Sequence, residues 1–137
     1  MPSPRSARRS LAEASPNRRQ RGVAAHRTGQ RAEDVAREAL IQEGWVILAQ
    51  RERTPAGEID LIAEKAGLLA FVEVKARPSL REAAYALGPK QQSRLLAAGE
   101  FWLGAHPERG KAGVRFDVLL VTADGTVKRI TDALRLM

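Results

Sequence analysis

Two hydrophobic rhythms alternate along the chain. Between Gly29 and Gly44 the apolar positions Ala32, Val35, Ala36, Ala39 and Leu40 recur at the spacing of one helix face. Thr28 offers an N-cap and Gly44 a stop, so the pattern predicts a helix there. WVILAQR at 45–51 has the composition of a strand, and ERTPAG at 52–57 that of a loop. Two further strands, 57–65 and 68–76, flank the tight-turn dipeptide Ala66-Gly67. The segment 79–88 fits neither rhythm. Pro89 suits the first turn of a helix running to about Leu103, which GAHPERGKAG then stops. VRFDVLLVT at 114–122 is a strand, Asp124-Gly125 a hairpin turn and TVKRI the partner strand. Helix, three strands, helix, two strands is an α/β order: a mixed central sheet with helices packed on it.

The hairpin at 57–76 carries more than its fold requires. A two-residue turn at Ala66-Gly67 sets Ile62 opposite Phe71, Asp60 opposite Glu73 and Glu58 opposite Lys75. Because side chains alternate between faces, one face collects Ile59, Leu61, Ala63, Leu68, Ala70, Val72 and Val74, all apolar. That is a core face. The opposite face carries Ile62, Glu64, Leu69 and Phe71 near the turn and Glu58, Asp60, Glu73 and Lys75 at its far end. A four-residue loop keeps this pairing, whereas a three- or five-residue loop shifts it by one and spoils the apolar face.

Like charges directly opposed across strands repel, so Asp60 against Glu73 calls for a compensating cation. Hard oxygen donors with no adjacent His or Cys suit Mg²⁺ or Mn²⁺ rather than zinc. Lys75, two residues from Glu73 on the same face, adds a cationic group. Glu33 lies at the edge of the apolar stripe of the first helix, where helix meets sheet, and is a candidate third carboxylate. Each residue also has a plainer reading. An acid-x-Lys triplet is common at this composition, Lys75 has Glu58 opposite it for a surface ion pair, and Glu33 suits a solvated helix flank. The conjunction is what points to function: two carboxylates and a lysine on one face, amid strands built for burial.

Composition narrows the setting. A chain of 137 residues, 44% hydrophobic and 28% charged, suits one soluble domain with a largely aliphatic core. It has no Cys, which excludes disulfides, thiolate metal sites and thiol nucleophiles. Neither a membrane-length apolar run nor a secretory h-region is visible, so the expected location is cytoplasmic. The formal net charge is +7, but residues 1–31 hold eight Arg against Glu13 alone, while residues 32–137 are balanced. Residues 1–27 are therefore expected to form a disordered basic tail ahead of a domain spanning 28–137. Such a tail reads as a solvated extension, as the product of an upstream start codon, or as an arm with salt-dependent affinity for phosphates, and its Arg- and Ser-rich, acid-poor make-up also resembles a transit peptide. G-x-S-x-G, P-loop and G-x-G-x-x-G motifs are absent. His26 and His106 lie too far apart in the chain to suggest a shared site.

Asp60 followed by Glu73-Val74-Lys75 resembles the PD-(D/E)xK nuclease signature, with Ile59-Asp60 in place of Pro-Asp. More closely, Ala32-Glu33, GEIDLIA at 57–63, FVEVKAR at 71–77, Lys90 and RFDV at 115–118 resemble the YraN-like family of small bacterial proteins. The likeness runs from about residue 28 to the C-terminus. It implies a restriction-endonuclease-like αβββαβ core and, by analogy with archaeal Holliday-junction resolvases, hydrolysis of DNA phosphodiester bonds at branched or processed substrates. Carried onto this chain, Asp60, Glu73, the Val74 carbonyl and Glu33 would hold Mg²⁺ or Mn²⁺, and Lys75 would orient the attacking water. Arg53, Arg77 and Lys90 would grip phosphates, Lys90 at a helix N-terminus. Asp117, beside Arg115, is assigned a structural role. One departure is clear. Some related nucleases carry Gln-x-x-x-Tyr on the helix after the lysine strand, but here Leu95 follows Gln91 and Leu96 follows Gln92, so an exonuclease of that type is not expected. The alternatives are a nucleic-acid-binding module of the same fold without useful catalysis, and a protein-interaction domain with an incidental acidic patch. A homodimer would place two sites on one junction, though no interface signature marks it.

Overall fold

In the computed structural model, residues 18–78 and 88–131 are described, with side chains from Gln30 onward. They form α1 (Arg18–Gln42), β1 (Val46–Thr54), β2 (Gly57–Lys65), β3 (Leu68–Ala76), α2 (Pro89–Ala105), β4 (Gly113–Val121) and β5 (Val127–Ile130). The element order is the one the hydrophobic pattern predicts. Residues 1–17 of the expected tail, most of the ambiguous segment 79–88 and the end of the chain after Thr131 lie outside the described residues.

Turn chemistry sets the sheet. Ala66 (φ 51°) and Gly67 (φ 81°) take the left-handed conformation at both centres of a two-residue hairpin turn. The resulting register, Leu61 with Val72, Ile62 with Phe71 and Ala63 with Ala70, is the one the apolar face selects. The second tight turn corrects an expectation. Thr54 Oγ1 accepts from the amides of Ala56 and Gly57 at 3.1 Å each and donates to the Gly57 carbonyl at 2.7 Å. That clamp shortens the expected 52–57 loop to Pro55-Ala56, and β1 runs on to Thr54, paired with Gly57. Glu52 and Arg53 look like loop residues in sequence because edge strands carry charge readily.

The strand order is β1-β2-β3-β4-β5, antiparallel throughout except between β3 and β4. A parallel pair needs a crossover, and α2 lies within it. Both faces of the sheet are cores. On one, Ala32, Ala36 and Leu40 of α1 bury Leu61, Ala63, Ala70, Val72 and Leu119. On the other, Leu95, Ala98 and Trp102 of α2 bury Ile62, Leu69 and Phe71. Each fully buried aliphatic side chain contributes about 1.5–3 kcal/mol, so neither helix is free to leave. The result is a five-stranded mixed sheet between two helices, the α/β arrangement of a restriction-endonuclease-like core.

Two further differences matter. The backbone of α1 is already helical at Arg18, so Thr28 lies inside the helix and is not its N-cap. Ile59 is buried with the α2-side cluster, not with Leu61 and Ala63, so alternation along β2 breaks at its first residues. Among the described residues no helix is long and apolar enough to cross a membrane.

Candidate functional site

The site lies where β2 leaves β3. The β2–β3 ladder ends at Leu61 and Val72, whereas β3 stays paired with β4 as far as Ala76 and β2 with β1 as far as Gly57. Asp60 and Glu73 are therefore not the ladder pair that the register predicts. The Asp60 carboxylate enters the gap instead, where its Oδ2 accepts the Val74 amide proton at 2.8 Å. A side chain has replaced a backbone acceptor, and the hairpin is wedged open at the place where its charges collect.

Glu73 and Lys75 project from β3 into the same region, with Lys75 Nζ 3.3 Å from Glu73 Oε2 and each side chain about 15% exposed. The expected cross-strand pair of Lys75 with Glu58 does not form. Glu58 lies 3.8 Å from Arg53 on the adjacent strand. Burial and then the Glu73 charge push the Asp60 carboxyl up to about 7, against the Val74 amide and Lys75, which favour its ionised form. Glu33 also raises it, so α1 brings that carboxylate within electrostatic reach.

Glu33 has a partner of its own. Arg51 Nε donates to Glu33 Oε1 at 2.7 Å, joining α1 to β1. This bond and the attraction behind it raise the Arg51 guanidinium above its ordinary range. Arg51 sits at φ 53°, a conformation that L residues with a side chain adopt at a cost. Arg51 drew no attention in sequence, because nothing local marks a strained residue.

The other expected residues are dispersed. The Arg53 side chain is 90% exposed. Arg77 is anchored by its own backbone, its amide donating to Val121 O and its guanidinium to Ala76 O. Lys90 is exposed in the first turn of α2. Asp117 is 1% exposed and takes hydrogen bonds from Arg115 at 2.9–3.2 Å, while Arg115 lies over the Trp45 ring. In register with Val72, Asp117 belongs to the α1 side of the sheet and serves the structure, as its place beside Arg115 suggests.

A cleft of about 260 Å³ opens at the separated strands. Gly57, Glu58, Asp60 and Glu73 line its sheet side, and Gln91, Arg94 and Leu95 its α2 side. Arg94 escaped the sequence reading. The signal was there: residues 91, 94, 95, 98 and 102 follow one helical stripe, and Leu95, Ala98 and Trp102 are its buried members.

Donor chemistry can be weighed from these positions. Among the described residues no group of three or more His, Cys, Asp or Glu is placed to hold a metal ion. Mg²⁺, however, commonly takes one or two carboxylates and keeps several waters. Two carboxylates of which one is driven toward neutrality by burial and by the other are what a divalent cation relieves, so Asp60 and Glu73 fit such an ion in kind.

The fold and the hairpin signature define a small α/β protein of restriction-endonuclease-like architecture. Residues 32–121 match the uncharacterised protein family UPF0102, and the chain belongs to that family. It is 59% identical over 116 residues to a UPF0102 protein of Granulibacter bethesdensis, covering 85% of this chain and 73% of the relative. A UPF0102 protein of Bradyrhizobium is 57% identical over 108 residues, covering 79% and 74%. One from Rhodopseudomonas palustris is 47% identical over 111 residues, covering 81% and 85%.

Proposed function

We propose that this protein is a Mg²⁺- or Mn²⁺-dependent nuclease that hydrolyses DNA phosphodiester bonds at the opened end of the β2–β3 hairpin. The observation that carries the reading is the Asp60–Val74 bond beside Glu73 and Lys75. It presents a half-buried carboxylate and a second carboxylate at one cleft, with an amine 3.3 Å from the second. The cleft's 260 Å³ falls below the roughly 300–1,000 Å³ of small-molecule pockets. With its charged lining, it suits one phosphate of an extended polymer better than an enclosed metabolite.

In this reading Asp60 and Glu73 hold the ion, with the Val74 carbonyl as a further donor. A bound divalent cation supplies charge stabilisation at the phosphoryl group and acidifies a water. Lys75 orients the attacking water and stabilises negative charge as its proton leaves. The Val74 amide keeps Asp60 from rotating out of the cleft, and Arg51 holds Glu33 where its charge adds to the site directly or through water. Binding the ion requires Asp60 ionised.

The test compares wild type with Asp60→Ala on labelled single-stranded, duplex, flapped and four-way-junction DNAs, with Mg²⁺ or Mn²⁺ and with EDTA. Cleavage by wild type alone, abolished by EDTA, is the expected result. No cleavage of any substrate by either protein overturns the catalytic reading. A second reading, a nucleic-acid-binding module without catalysis, draws on the charge balance of residues 32–137. DNA binding by wild type without cleavage would select it.

A further inference from the structure

The charges around the cleft are largely committed. Glu58 faces Arg53, Glu73 faces Lys75, and Asp60 takes the Val74 amide. Arg94 is different. Although three carboxylates line the same cleft, its guanidinium has no ion-pair or hydrogen-bond partner among the described residues.

Its position is nevertheless built. A Cβ at residue 57 would stand 2.7 Å from Arg94 Cγ, 2.8 Å from Cδ and 3.6 Å from Nε. The arginine stem thus lies flat on the Gly57 backbone, in space that any other residue would fill. Gly57 is needed a second time by its φ of 145°, and the Thr54 clamp holds it in place. From below, Leu95 and Ala98 bury the inner face of α2 and fix the helix that carries Arg94. A side chain seated this closely at an acidic cleft, with a polar head that no described residue engages, has the attributes of a ligand contact. Net negative charge there would repel a polyanion, and a planar cation with a forked set of donors offsets that repulsion and recognises a phosphate.

We propose that Arg94 binds a backbone phosphate of a DNA strand lying in this cleft, making it a substrate-positioning residue that the seat on Gly57 orients. The assignment rests on reading the site as a nuclease site and adds to it the contact by which α2 holds the substrate. Arg94 is exposed as Arg53 and Lys90 are, and the seat on Gly57 is what separates it from them.

The experiment measures fluorescence anisotropy of labelled single-stranded and duplex DNA over a range of NaCl, with Ca²⁺ replacing Mg²⁺ to prevent turnover. Wild type, Arg94→Ala, Arg94→Lys and Arg53→Ala are compared, with thermal melting as the folding control. Arg94→Ala is expected to weaken binding about tenfold and to lower the slope of log K against log salt by about one. Arg94→Lys keeps the slope but recovers only part of the affinity, because the charge remains and the fork does not. Arg53→Ala changes affinity less than Arg94→Ala. If wild type binds DNA and Arg94→Ala matches it in affinity and slope, the proposal for Arg94 fails while the nuclease reading stands. If wild type binds no DNA, both fall together.

Discussion

The Val74 amide donates to Asp60 Oδ2 at 2.8 Å, across a gap that begins where the β2–β3 ladder ends. One carboxylate oxygen thereby satisfies the backbone, leaving the other for different work. Asp60→Asn keeps an acceptor for that amide, whereas Asp60→Ala leaves it without one. Both variants are expected to lose divalent-cation binding, seen as loss of the calorimetric Mg²⁺ or Mn²⁺ signal. Asp60→Ala should be less stable than Asp60→Asn at pH 8, by about 1–2 kcal/mol in urea unfolding. Equal stability of the two variants would show that the bond does not hold the strands.

A pH dependence follows from the same residue. Burial and Glu73 raise the Asp60 carboxyl from 3.8 to about 7. Below about pH 4 the group is protonated in folded and unfolded chains alike, and its contribution is fully present. As pH rises toward 7 the unfolded chain ionises it first, so metal-free stability falls, and above 7 the loss is complete. The difference between wild type and Asp60→Asn, unfolded in EDTA from pH 4 to 8, isolates this effect at a few kcal/mol at most. Mg²⁺ affinity should climb over the same upper range with release of a proton, measurable by titration in buffers of different ionisation heat.

Among the described residues, two that are not glycine occupy left-handed backbone, Ala66 at the β2–β3 turn and Arg51 beside Glu33. At the exposed turn the strain has no partner to justify it. Ala66→Asn is therefore expected to raise stability by about 0.5–1 kcal/mol, seen as a higher urea midpoint at unchanged m. At position 51 the side chain holds Glu33, and Arg51→Ala loses that contact while keeping the strain. Arg51→Gly loses the contact alone, so it should be more stable than Arg51→Ala by about 1 kcal/mol. If the nuclease reading holds, both Arg51 variants should cleave more slowly than wild type.

Gly99 lets α2 approach the sheet. A Cβ there would meet Phe116 Cε2 at 2.7 Å, its Cζ at 2.9 Å and Phe71 Cδ2 at 3.1 Å. Phe71 in turn packs against Phe116 and edge-on to Trp102, so the rings have little room to yield. Gly99→Ala should cost about 1–3 kcal/mol in thermal or urea unfolding. It should also move Gln91 and Arg94 off the cleft, weakening DNA binding if Arg94 contacts phosphate.

Much of this molecule is legible in one dimension. Alternation along 57–76 determined the hairpin register, because a one-residue slip would turn Leu61, Ala63, Ala70 and Val72 to the opposite face. The same periodicity located β2, β3, α2 and β4 nearly to the residue, and the charges that broke it marked Asp60, Glu73 and Lys75 for attention. What the chain order could not settle was decided by contacts between distant segments. The parting of β2 from β3, the capture of Glu33 by Arg51 eighteen residues away and the seat of Arg94 on Gly57 all depend on how α1 and α2 dock. Local periodicity records which face of an element is apolar. It carries no information about where a strand ceases to pair or which distant side chain fills the space a glycine leaves, because those are properties of the packed assembly.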